Sequence, residues 1–187
     1  MKLLRLLGTF TLLAFAAAPK LWTDTVERLR TRPGLITDET SHAVQLVPDS
    51  IHDGDTFRVT DGIREIKIRL CGIDAPELEQ PLGISSRDHL RSLVARGNGT
   101  ANIVKTATDQ YGRTVAEVFV PIAGSEEEIH LNSQMVVDGM AYVYPQYVGS
   151  CPNASVIRAV EEKATKQGVG LWSDRSRQKP WEYRRQG

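Results

Sequence analysis

The stretch Thr56–Glu77, "TFRVTDGIREIKIRLCGIDAPE", decides the fold. Thr56–Thr60 is a short β-like run. Asp61-Gly62 is a dipeptide favoured where a hairpin must turn through positive φ. In Ile63–Leu70 the apolar residues Ile66, Ile68 and Leu70 alternate with Glu65, Lys67 and Arg69. A strand with one buried and one charged face is therefore predicted. By strict alternation Arg69 and Asp74 fall on opposite faces. Gly72 lies between them and can bulge or bend the strand, reversing the parity, so a break is predicted between Leu70 and Asp74. Pro76 biases Ala75 away from helix.

Working outward, "HAVQLVPDSI" (42–51) is β-like, but Pro48 restricts it to an edge or bulged strand. "DGDT" (53–56) is a turn signal. Downstream, "ISSRDHLRSLVARG" (84–97) reads as a helix closed by Gly97. "TANIVKTAT" (100–108) and "TVAEVFVPI" (114–122) are strands separated by "DQYGR". "HLNSQMVVDG" (130–139) is a short helix ended by Gly139. "NASVIRAVEEKATKQG" (153–168) is a helix with Asn153 as N-cap and Gly168 as C-cap. Three strands, a helix, two strands and two helices make an α+β fold, mainly β. The expected form is a five-stranded, partly closed Greek-key barrel of OB type with about three helices. Such barrels commonly bind oligonucleotides on one face, although fold alone does not establish activity.

Bulk composition constrains the chemistry. Among 187 residues, 23 Lys and Arg balance 23 Asp and Glu, so no global charge draws the chain to polyanions and any anion site must come from local clustering. Cys71 and Cys151 form no CxxC or Cys/His pattern, which argues against zinc. His42, His52, His89 and His130 are scattered and read as surface or packed residues. Residues 1–18 carry Lys2 and Arg5, then a mostly apolar run and small residues, the layout of a secretory signal peptide. The apolar run is short of the ~20 residues that span a bilayer; the other readings are a buried first helix or an uncleaved anchor. A secreted or periplasmic location is expected, where an oxidising environment permits, without requiring, a Cys71–Cys151 disulfide. Residues 19–40 read as a linker and 41–173 as the domain. Residues 174–187 read as a flexible basic tail, with five basic and two acidic residues.

Three charged clusters sit at predicted strand ends: Asp53 and Asp55; Arg69, Asp74 and Glu77; Asp109, Tyr111 and Arg113. Singly, each is ordinary turn chemistry. Together they have a logic. Asp55 and Asp74 supply oxygen ligands for a hard divalent cation, calcium or magnesium rather than zinc. Glu77 is placed to hold or deprotonate a water. Arg69 and Arg113 supply forks for phosphate oxygens. A cation with guanidinium groups is what a phosphoryl-type transition state needs.

The ordered set "DGDT", "RLCGIDAPE", "DQYGR", "DGMAYVY" and "GVGLW" resembles the thermonuclease (staphylococcal-nuclease-like) family over residues 41–172. The resemblance implies an OB-fold, calcium-dependent phosphodiesterase acting on DNA and RNA and leaving 3′-phosphates. It implies Ca2+ ligation by Asp55, Asp74 and the Ala75 carbonyl, Glu77 as general base, and Arg69 and Arg113 on the phosphate. Tyr111 is expected near the nucleotide. Tyr144, with Tyr142 or Tyr147 as rivals, is expected to stack on a base, and Glu161 and Trp172 match structural positions. Ala75 stands where the family's best-known member has threonine, Gln110 where lysine is frequent, and the loop from Leu78 to Gly83 is short. The expected protein is a monomer without a stable protein partner, touching a membrane only if its leader is uncleaved. The alternative is a catalytically silent nucleic-acid-binding OB module.

Overall fold

The computed structural model describes residues 41–186; the predicted leader and linker lie outside them. The strands are β1 (Ser41–Leu46), β2 (Thr56–Thr60), β3 (Glu65–Leu70), β4 (Ile73–Asp74), β5 (Thr100–Thr108), β6 (Thr114–Pro121), β7 (Glu128–His130) and β8 (Tyr142–Val143). The helices are α1 (Gly83–Ala95), α2 (Leu131–Val137), α3 (Ala154–Gln167) and the single turn α4 (Pro180–Tyr183). Single 3₁₀ turns lie at Val148–Ser150 and Gly170–Ser173.

Five strands close into a ring. β1 pairs with β2 and β5, β2 with β3, and β5 with β6, all antiparallel. The parallel pairing of β3 with β6 completes the circuit. β7 extends β6, and β4 and β8 form a separate two-stranded ribbon. The β2–β3 hairpin pairs Phe57 with Ile68 and Val59 with Ile66. Phe57, Val59, Ile68 and Leu70 are buried, each worth about 1.5–3 kcal/mol relative to exposure. The central strand β6 is buried continuously from Ala116 to Val120. Between Lys105 and Ala107 the β5–β6 register slips, a bulge that bends the strand around the ring.

The first strand ends earlier than its sequence suggests. Pro48 follows β1, and Asp49 turns the chain at φ 55°. At α3 the predicted boundaries hold, with Gly168 at φ 64°. Asn153, however, does not cap through its own side chain. Its backbone N–H and its Nδ2 both donate to the buried Glu117 carboxylate, at 2.7 and 2.6 Å. The strand thus ties down the start of the helix.

The predicted break after Leu70 is present. Gly72 has φ +72°, a left-handed conformation that glycine adopts without steric cost. A Cβ there would lie 2.7 Å from Cys151 Sγ and 3.0 Å from Val148 Cα. The corner is held from several sides. Cys71 N–H donates to Ala116 (2.8 Å), Asn132 Nδ2 donates to the Cys71 carbonyl (2.9 Å), and Tyr144 N–H donates to the Gly72 carbonyl (2.9 Å). A Cys71–Cys151 disulfide links this corner to the segment before α3. Gly72→Ala is expected to cost about 2 kcal/mol or more from the φ requirement and the lost clearance. Cys71→Ser with Cys151→Ser is expected to cost about 4.5 kcal/mol, the loop-closure value for a link spanning 80 residues. Urea unfolding followed by circular dichroism measures both, and unshifted midpoints contradict this account of the corner.

Candidate active site

The bend after Leu70 carries Asp74 back toward the "DGDT" turn. Asp53 builds that turn by accepting from Asp55 N–H (3.1 Å) and Thr56 N–H (2.6 Å) through Oδ1. Asp55 is joined to the end of β3 because its carbonyl accepts from Leu70 N–H at 2.9 Å. Its carboxylate accepts from Thr56 Oγ1 (3.1 Å) and, across the bend, from Ala75 N–H (2.7 Å). The Arg69 guanidinium lies between the two acids. Nη1 pairs with Asp55 and Nη2 donates to Asp74 Oδ1 at 2.6 Å. Arg69, Asp55 and Asp74 are therefore brought together, with Ala75 joined to them through its N–H.

Electrostatics follow from burial. Asp74 is fully buried, and burial followed by the Asp55 charge raises its pKa. Asp53 is pushed up to about 6, first by burial and then by Asp55. Burial opposes the Arg69 charge, but Asp55 and Asp74 outweigh it and hold the guanidinium charged. The expectation for Arg69 needs adjustment here. Its side chain is only 12% exposed and its first role is to hold two carboxylates.

Glu77 lies three residues beyond Asp74, past Pro76. Its Oε1 accepts from Arg184 Nη1 at 2.7 Å, and its backbone N–H donates to Gln80 Oε1 at 3.0 Å. Arg113 is outside this network. Its Nε donates to Asp109 at 2.6 Å, and its guanidinium carbon stands 5.3 Å from the centre of the Tyr111 ring. The topology still sets it beside β3, because the next residue, Thr114, pairs with Ile68. Tyr111 is 73% exposed, open to a ligand.

The aromatic expectations divide. Tyr142 is 2% exposed and lies edge-on to Trp172 and Trp181, so it offers no open face to a base. It pairs with Asp74 across the β4–β8 ribbon, which explains its burial. Tyr144 is half-buried with Trp181 stacked on it, ring centres 5.1 Å apart and planes 9° from parallel; Tyr147 is exposed and edge-on to Tyr144. Glu161 accepts from Val143 N–H at 2.9 Å, holding β8 to α3.

Sequence reasoning missed the residues after 176. Residues 174–187 are expected from sequence to be a flexible tail, yet Gln80 Nε2 donates to the Gln178 carbonyl (3.1 Å). Lys179 Nζ lies 3.6 Å from the Tyr142 ring centre and 4.4 Å from that of Trp172. Pro180 is buried. Arg184 reaches both Glu77 and, at 2.8 Å, Asp74 Oδ2. The basic excess of the tail was the only available signal. Of the histidines, His130 is buried, neutral and held near a pKa of about 3 by burial, while His89 pairs with Asp138 at 2.7 Å.

Among the described residues, no group of three or more His, Cys, Asp or Glu is arranged to hold a metal ion. The donors gathered by the bend are two carboxylates, Asp55 and Asp74, with the Ala75 backbone beside them. An all-oxygen set of low count fits a hard cation that keeps part of its water.

A five-stranded barrel of this topology, with carboxylates and guanidinium groups clustered at one place on its wall, is an OB-fold. The profile of the family described as "Staphylococcal nuclease homologue" matches residues 67–174. The chain is 37% identical over 138 residues to "Micrococcal nuclease" of Shigella flexneri, covering 72% of this chain and 77% of that protein. It is 37% identical over 132 residues to an "Uncharacterized endonuclease" of Escherichia coli O157:H7, covering 71% and 79%. It is 36% identical over 137 residues to an "Uncharacterized endonuclease" of Haemophilus influenzae, covering 73% and 70%. The chain belongs to the staphylococcal nuclease homologue family.

The raised Asp53 pKa has a testable sign. Between about pH 4 and 6 the folded chain holds a proton that the unfolded chain releases. This contribution to stability is complete below pH 3.8 and is lost as pH rises through 6. Asp53→Asn keeps the Oδ1 acceptor and removes the charge. In chelator, it is expected to be more stable than wild type by about 1–2 kcal/mol at pH 7.5 and nearly equal at pH 4. Urea midpoints at the two pH values decide; a gap that does not change with pH contradicts the assignment.

Proposed function

We propose that this chain is an exported, calcium-dependent nuclease that hydrolyses phosphodiester bonds of DNA and RNA with little sequence specificity. The observation that carries the reading is the convergence of Asp55, Asp74 and Glu77 around the Arg69 and Arg184 guanidinium groups. Family membership and nuclease-named relatives support it. Export is supported by the leader pattern and by the Cys71–Cys151 disulfide.

In this mechanism Asp55, Asp74 and the Ala75 carbonyl would hold the cation, and calcium would supply positive charge against the phosphoryl oxygens. Arg113 leaves its surface pairing with Asp109 to take a phosphate oxygen, and Arg69 donates from the buried side. Glu77 accepts a proton from the attacking water. The water oxygen bonds to phosphorus, the bond to the 5′-oxygen breaks, and that leaving oxygen takes a proton from solvent water. The products are a 3′-phosphate and a free 5′-hydroxyl. Tyr111 is the exposed aromatic group available to the nucleotide.

Digestion of single-stranded DNA by the full chain tests the reading. Activity is expected with calcium and none with chelator. Glu77→Gln and Arg113→Ala are each expected to lose on the order of 10²-fold or more in kcat. Full activity in chelator contradicts the mechanism. Tight binding without cleavage in calcium favours a silent binding module.

A further inference from the structure

The C-terminal segment is built onto the candidate site. The anchors at Gln178, Lys179, Pro180 and Trp181 hold α4 beside the β4–β8 ribbon. Trp181 and Arg184 are three residues apart, which puts them on one side of a helical turn. One reaches Tyr144 and the other reaches the acids. A single guanidinium bridges Glu77 Oε1 (2.7 Å) and Asp74 Oδ2 (2.8 Å).

Asp74 thus has both oxygens engaged by guanidinium groups, Oδ1 by Arg69 and Oδ2 by Arg184. A calcium ion bound through Asp74 must come within about 2.3–2.6 Å of one of these oxygens. Three positive centres around one carboxylate repel one another strongly where water is sparse. The two arginines differ in their freedom to leave. Arg69 is 12% exposed and locked on both sides of the bend, whereas Arg184 is 41% exposed at the rim.

We propose that Arg184 is an affinity-setting residue of the candidate site: a tethered counter-ion that a divalent cation must displace from Asp74 and Glu77. The inference rests on the reading of Asp55 and Asp74 as cation ligands. Displacement requires only a rotamer change, because the anchors lie at residues 178–181. Glu77 is released in the same event, so cation binding also frees the proposed base. The C-terminal segment thereby weakens the cation site and couples its occupation to the state of Glu77.

The test is calorimetric titration of calcium into the full chain without nucleic acid. Arg184→Met is expected to bind calcium roughly tenfold more tightly than wild type, since two charge-assisted hydrogen bonds no longer compete. Arg184→Lys, which keeps the charge but not the fork, is expected to lie between. Arg185→Met removes the same charge one residue away and is expected to match wild type. Asp74→Asn is expected to abolish binding. If Arg184→Met matches wild type, binds more weakly, or is equalled by Arg185→Met while Asp74→Asn still abolishes binding, the competitor role is overturned and the cation site stands. If calcium binds neither wild type nor Arg184→Met, the cation-site reading fails and the inference falls with it. Thermal melting of each variant confirms that the titrated protein is folded.

Discussion

The Arg69 guanidinium, lying between Asp55 and Asp74, is the interaction on which the site depends. Two ionised carboxylates do not approach each other in a buried place without a counter-charge. Here the counter-charge comes from the strand that leads into the bend, and the acids come from the segments on either side of it. Remove the bend and Asp74 points to the opposite face from Arg69. Remove Arg69 and two buried acids face each other. The geometry of a hairpin, one glycine and one ion-pair triad is therefore a single constraint.

The barrel serves this constraint directly. Cys71 and Gly72 are fixed by β6, α2, β8 and the disulfide, so the turn cannot relax away from the site. The parallel β3–β6 pairing that closes the ring also sets Arg113 beside β3. The same β4–β8 ribbon that carries Asp74 buries Tyr142, and Tyr142 in turn is part of the seat for Lys179. Support of this kind is what holds polar groups in productive geometry.

What was legible in the sequence was local. Alternation from Glu65 to Leu70, the Asp61-Gly62 turn and the parity argument at Gly72 each depend on a few neighbouring residues, and the structure has all three. The barrel class followed from the order of such elements. The meeting of Asp55, Arg69 and Asp74 was legible because the turn and the bend are themselves short-range features. What was illegible came from distant contacts. Arg184 meets Asp74 and Glu77 across 110 and 107 residues, and no periodicity encodes that meeting. Tyr142 and Tyr144 are neighbours by alternation, but which one is covered depends on Trp172, Trp181 and Lys179. The early end of β1 at Leu46 goes further than the edge or bulge that Pro48 signalled, with Asp49 turning the chain at positive φ.

In the proposed mechanism the bend at Gly72 assembles a cation site from Asp55 and Asp74. The most direct measurement is a crystal structure of the full chain grown with calcium and a nucleoside bisphosphate. The account predicts calcium within about 2.3–2.6 Å of oxygens from Asp55 and Asp74 and of the Ala75 carbonyl, with the phosphate between Arg69 and Arg113. Calcium held elsewhere, or a phosphate bound with both carboxylates still wholly engaged by arginine, contradicts it.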